Sequence, residues 1–140
     1  MQDFTNFINH HLPLIYAMSI MLVLLMIIEY FRLARNNFSV DTTKAIALIN
    51  HEHAAVIDLR SKEQFQQGHI IDAQSTTVSE MESHPKKLEK LRTKPILFVC
   101  ANGLESQKVA ALYTKKGYNS YSLSGGLRSW VAAGLPLIKE

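Results

Sequence analysis

Apolar and polar positions divide the chain into two unlike parts. From Leu12 to Ile28 the run LPLIYAMSIMLVLLMII carries no charge, and only Ser19 interrupts its apolar character. As a helix rising about 1.5 Å per residue it covers about 26 Å, close to a hydrocarbon core about 30 Å thick. Phe4, Phe7 and Ile8 before it, and Tyr30 and Phe31 after it, extend the apolar reach, with the two aromatics where an interfacial belt falls. Pro13 stands near the start of the run, where a missing N–H is expected to do least harm. A cleavable signal peptide would begin with basic residues and end on small ones. Here Asp3 is the only early charge, and EYFRLAR follows the run. An amphipathic surface helix or a core helix would need a polar face. Residues 1–36 therefore read as a transmembrane anchor, and residues 37–140 as a separate domain joined at Asn36-Asn37.

The second part alternates. Ser39 or Asp41 is expected to cap a helix reaching about Asn50, with Ile46, Leu48 and Ile49 turned inward. Ala54–Ile57 reads as a strand buried on both faces, Ser61 as the cap of a short helix ended by Gly68, and Gln74–Thr76 as a short strand. A charged helix follows Pro85, with Leu88 and Leu91 on one face. Pro95–Val99 is the clearest strand. A helix over Ser106–Lys116 stops at Gly117, Tyr118–Leu123 is the last strand, and Gly125-Gly126 turns into a short helix around Trp130, closed by Gly134 and Pro136. Strands separated by helices require crossovers, so the fold class is α/β: a mainly parallel sheet flanked by helices, preceded by one transmembrane helix.

Composition narrows the function. The 140 residues hold 15 basic and 12 acidic side chains, a net charge of +3, and one cysteine. The basic residues are scattered apart from pairs such as Lys86-Lys87 and Lys115-Lys116, so no nucleic-acid stripe exists. One cysteine excludes a disulfide framework, and no CxxC pair suggests a zinc ribbon or dithiol site. Lys and Arg are absent before the apolar run and present after it, at Arg32, Arg35 and Lys44. The positive-inside rule then puts the N-terminus outside and the domain in the cytoplasm. A lone reactive cysteine suits that reducing compartment.

Cys100 ends the strongest strand, and in open α/β sheets ligands bind beyond the carboxyl ends of strands. Ala101-Asn102-Gly103-Leu104-Glu105 leads into the helix near Ser106. A tight strand-to-helix loop can curl its N–H groups into an anion cradle, and the positive helix end favours a thiolate. Gly103 permits a backbone angle that a side chain resists. A small cysteine simply buried at a strand end would give the same pattern, and spacing alone leaves both readings open.

The residues from about Phe38 to Glu140 resemble a rhodanese domain. The resemblance rests on the ordered set Val56-Ile57-Asp58-Leu59-Arg60, Glu63, Phe65, Gly68-His69-Ile70, Cys100-Ala101-Asn102-Gly103, Leu123-Ser124-Gly125-Gly126, Trp130, Gly134 and Pro136. With the anchor included, the chain is similar to the small YibN-like inner-membrane rhodaneses of bacteria. The resemblance implies a sulfurtransferase: Cys100 takes a sulfane sulfur as a persulfide and passes it to a thiol acceptor, and the amides of Ala101, Asn102, Gly103, Leu104, Glu105 and Ser106 hold the sulfur. No metal or organic cofactor is implied. The partners implied are a sulfane-sulfur donor and a thiol acceptor, small molecules or proteins, together with the membrane. With no second cysteine, the acceptor must be another molecule.

The sequence departs from the family at one position. Active rhodanese loops often carry arginine five positions after the cysteine, where this chain has Glu105. A carboxylate about 4 Å from a charged substrate costs on the order of 1–4 kcal/mol, so weak turnover of the thiosulfate dianion and preference for a protein persulfide donor are expected. Asp58, Arg60 and His69 read as supporting residues, Arg60 pairing with Glu63 or another carboxylate and His69 hydrogen-bonded in a turn. Ser106 either donates to the sulfur or caps the helix. His51 and His53 lack a second ligand cluster. Two other functions compete. One is a rhodanese-fold adapter that docks on a membrane protein complex, with little sulfur chemistry. The other is a phosphatase or arsenate reductase, whose longer loop ends in an arginine that position 106 lacks.

Overall fold

The computed structural model describes residues 2–36 and 38–139, and the side-chain surroundings of residues 11–31 and 38–139. The chain divides into two compact units, Met1–Asn37 and Phe38–Glu140. Asn37, half of the expected break, lies outside the described residues.

The first unit is one helix, α1 (Gln2–Asn36). Its segment His11–Phe31 has a mean hydropathy of 2.3, is long and apolar enough to cross a membrane, and its most apolar stretch is not buried in protein. Leu14, Met18, Leu22, Leu25 and Met26 are all exposed, an arrangement that water penalises and lipid does not. Pro13 was expected where a missing N–H does least harm; it lies instead inside α1, about three turns from the first residue. Helices in apolar surroundings tolerate such prolines because local adjustments re-satisfy the freed carbonyl.

The second unit runs β1 (Ser39–Val40), α2 (Thr42–Glu52), β2 (Ala55–Asp58), α3 (Lys62–Gln67), β3 (Gln74–Ser75), α4 (Val78–Ser83), α5 (Pro85–Glu89), β4 (Ile96–Val99), α6 (Leu104–Lys115), β5 (Ser120–Leu123) and α7 (Gly126–Ala132). The five strands form one parallel sheet in the order β1-β5-β4-β2-β3. Two elements differ from expectation. Ser39 is a strand residue, paired with Ser122, and Asp41 alone caps α2 by accepting from the Lys44 N–H at 2.8 Å. Helix α4 was not expected, although Thr77 and Glu80 form a reciprocal capping box at its start.

The centre of the sheet explains the position of the site. All four residues of β4 are buried, and the two-residue period of a strand sends them alternately to opposite faces. Leu97 and Val99 join Val40, Ala45, Leu48, Leu123 and Trp130 on one side; Ile96 and Phe98 join Leu88, Val109, Ala110 and Tyr113 on the other. Cys100 continues the second set. Its side chain therefore falls on the face covered by α6, beneath the first turn of that helix.

Candidate active site

Two backbone segments meet at the carboxyl end of β4. The loop after Cys100 bends at Gly103 (φ +87°), which caps α6, and the turn before α7 bends at Gly125 (φ +70°) and Gly126 (φ +62°). These segments touch backbone to backbone. A Cβ on Gly126 would overlap the Cys100 carbonyl and the Gly103 nitrogen, and one on Gly103 would lie 2.9 Å from the Gly125 nitrogen. Glycine is thus required at both positions for space as well as for backbone angle. The first turn of α7 also donates to the loop: Leu127 N–H to the Cys100 carbonyl at 2.9 Å and Arg128 N–H to the Ala101 carbonyl at 3.2 Å. With those carbonyls turned toward α7, the opposite side of the loop is left to its N–H groups.

Those N–H groups converge on the thiol. Gly103 N–H donates to Cys100 Sγ at 3.1 Å and Ser106 N–H at 3.4 Å. Ser106 Oγ lies 3.3 Å from the same sulfur, accepting from the thiol, while it donates to the Gly103 carbonyl at 3.2 Å. Asn102 Oδ1 is a longer neighbour at 3.9 Å and accepts from Leu104 N–H at 3.1 Å. Cys100 is only 3% exposed, and Ser106 is fully buried. The sulfur is therefore apolar-packed on its sheet side and ringed by polar groups on its loop side. Such a site stabilises negative charge on sulfur through fixed dipoles that need no rearrangement.

The sequence-derived loop is thus brought together, with two corrections. Of the amides from Ala101 to Ser106, those of Gly103 and Ser106 reach the sulfur; Leu104 N–H is taken by the Asn102 side chain, and those of Ala101, Asn102 and Glu105 do not donate to it. Ser106 is not a helix cap, because the cap is Gly103 and Ser106 is the third helical residue. Leu104 and Glu105 are exposed on the lip of the site. Glu105 is therefore open to solvent and makes no hydrogen bond with the thiol.

The supporting residues form a separate brace. Arg60 pairs with Asp58, not Glu63: its Nη2 lies 2.7 Å from Asp58 Oδ2, and it also donates to the Gly68 carbonyl at 2.7 Å. Asp58 is buried, so this pair fixes the end of β2 beside β4 without touching the sulfur. His69 is buried, stacks on Phe65 with ring centroids 3.7 Å apart, and has Nδ1 2.9 Å from the Phe65 carbonyl. His53 adopts φ +51° as the C-cap of α2, a local role that accounts for it. The turn at Gly125-Gly126 was expected only as a chain reversal. Its part in closing the loop was missed, although a glycine pair entering a helix at the same end of the sheet was a signal for it.

Residues 41–133 match the rhodanese-like domain profile. The chain belongs to the rhodanese-like domain family. It is similar to the uncharacterized protein YibN of Escherichia coli K12, 31% identical over 142 residues that cover 99% of both chains. It is also similar to the thiosulfate sulfurtransferase GlpE of Vibrio cholerae, 29% identical over 99 residues, 70% of this chain and 92% of that one. Among solved structures, the rhodanese-related protein of Thermoplasma volcanium superposes with a TM-score of 0.63 at 27% identity, over 73% of this chain and 98% of that one. The rhodanese-like domain here accordingly has sulfurtransferase relatives at modest identity, and its five-stranded parallel sheet is the expected fold.

Proposed function

We propose that this chain is a membrane-anchored sulfurtransferase that carries a sulfane sulfur as a persulfide on Cys100 and passes it to a thiol acceptor. The observation that carries this reading is the convergence of Gly103 N–H, Ser106 N–H and Ser106 Oγ on the Cys100 sulfur. In the first half-reaction the Cys100 thiolate attacks the outer sulfur of a donor. The Cys100 S–S bond forms, the donor's S–S bond breaks, and the donor leaves with the electron pair, as sulfite when the donor is thiosulfate. In the second, an acceptor thiolate attacks the outer sulfur of the persulfide and Cys100 leaves as thiolate, so no net redox change falls on the protein. The single cysteine of the chain makes that acceptor a separate molecule. The helix α1 is the anchor, and the excess of Lys and Arg after its apolar run supports a cytoplasmic domain with the N-terminus outside.

Glu105 favours one particular class of donor. The loop bears no basic side chain and exposes one carboxylate and Leu104 at its lip, which repels a small dianion and suits a donor with an apolar or cationic surface, such as a protein persulfide. The same lack of a cation favours the second reading, an adapter that docks on a membrane protein with little sulfur chemistry.

Mass spectrometry of the detergent-solubilised full chain separates the two. After incubation with thiosulfate, with glutathione persulfide and with a persulfidated carrier protein, the sulfurtransferase gains one sulfur atom on Cys100, and Cys100→Ser gains none. A folded wild-type chain that gains no sulfur from any donor overturns the enzymatic reading in favour of the adapter.

A further inference from the structure

The site at Cys100 leaves a second feature unused at the β3 edge of the sheet, two strands from β4. Beside β3 lies a groove of about 450 Å³, within the range of ligand clefts, lined by Gln74, Ser75 and Thr76 on the strand side and by Lys86, Lys87 and Lys90 on the α5 side. The three lysines are exposed because Leu88, buried in the core, fixes which side of α5 faces the sheet. No acidic residue lines the groove, and among the described residues none of the three ammonium groups has an ion-pair partner. Like charges gathered on one wall repel one another, and an anionic occupant relieves that repulsion.

The opposite wall is a sheet edge. β3 is the outermost strand, and both its residues are exposed. Thr76 donates its backbone N–H inward to the Asp58 carbonyl at 3.1 Å. Because strand residues alternate, the N–H and carbonyl of Ser75 face outward, toward the groove, and pair with no neighbouring strand. An extended chain lying there would find a backbone donor and acceptor on one side and cationic groups on the other.

We propose that this groove docks an acidic, extended segment of a partner protein, which adds to the sheet beside β3 and sets its carboxylates against Lys86, Lys87 and Lys90. Backbone pairing supplies affinity in such strand addition, and the side-chain wall supplies selection. Lysines beside an edge also discourage indiscriminate pairing, so an acidic strand is the kind this rim admits. A lipid headgroup has no backbone to pair with the outward N–H and carbonyl of Ser75, so this edge favours a peptide over a phosphate.

The test uses the full chain in phosphatidylcholine nanodiscs and a fluorescent peptide of alternating glutamate and valine. Binding is expected, weakening as salt rises and falling at least tenfold in the combined Lys86→Gln, Lys87→Gln, Lys90→Gln variant. The same peptide with lysine for glutamate, or with its alternate amides N-methylated so that it cannot pair, is expected not to bind. Ser75→Pro removes only an outward N–H and should likewise abolish binding; the N-methylated peptide makes the same test on unaltered protein. Absence of binding at millimolar peptide overturns the proposal. So does equal binding of the N-methylated peptide, which would mean adsorption by charge alone. Loss of peptide binding in nanodiscs that contain phosphatidylglycerol, with Lys86, Lys87 and Lys90 then protected from an amine-reactive label, would overturn it in favour of a lipid headgroup.

Discussion

Ser106 brings two groups to one atom: its backbone nitrogen lies 3.4 Å, and its hydroxyl oxygen 3.3 Å, from the sulfur of Cys100. The nitrogen is fixed by the first turn of α6, whereas the hydroxyl can rotate. When the sulfur carries charge, that hydroxyl can turn from the Gly103 carbonyl and donate to it. Ser106→Ala keeps the amide and deletes the hydroxyl. Sulfur transfer from a persulfide donor is expected to fall about tenfold, near 1.4 kcal/mol, as for one hydrogen bond to a charged group. Steady-state kcat/KM checks this, and the midpoint of thermal unfolding should change little.

Glu105 acts at a distance, from the exposed lip of the loop. Glu105→Arg replaces a repulsion of thiosulfate by an attraction, each worth about 1 kcal/mol where water screens the charges. Thiosulfate kcat/KM should rise at least fivefold at low salt and lose most of that gain as salt increases. No gain would discard the electrostatic account of donor choice.

Gly126 holds the loop closed through space that only a glycine leaves. Gly126→Ala sets a Cβ against the Cys100 carbonyl and adds about 1–2 kcal/mol for a side chain at positive φ. The loop must shift. Denaturant unfolding should show a loss of about 3 kcal/mol or more. Alkylation of Cys100 by iodoacetamide should accelerate, because the opened loop uncovers a sulfur that is now 3% exposed.

Tyr113 supplies a pH dependence remote from the site. Burial, aided by Tyr118 and Glu82, holds its phenol pKa above the ordinary 10.0. The unfolded chain therefore ionises first as pH rises, and stability present below pH 10 is lost progressively above it. Tyr113→Phe should flatten that alkaline decline in the thermal midpoint.

How much was legible in the sequence depended on whether a signal was local. Ile96–Val99 announced itself because a strand buried on both faces is apolar at every position, and the parity of that strand already assigned Cys100 to the side of Ile96 and Phe98. Asp41 and Ser61 were readable as caps because each bonds an amide three residues on. By contrast, Ser39–Val40 is a strand only because Ser122 and Leu123 lie beside it, a pairing across more than eighty residues. Arg60 chose Asp58 over Glu63 because both ends of that pair are held at the end of β2, which residue spacing does not reveal.

The sequence by itself determined the apolar helix, the alternation of helices with strands, and a cysteine at the end of the central strand. Periodicity and charge are properties of neighbouring residues, and these features depend on nothing else. Which amides face the sulfur was decided only in three dimensions. The carbonyls of Cys100 and Ala101 accept from Leu127 and Arg128 of a helix that follows much later in the chain, and Gly126 leaves room for that approach. Backbone dipoles point where their hydrogen bonds hold them, and those bonds exist only once the two loops have met.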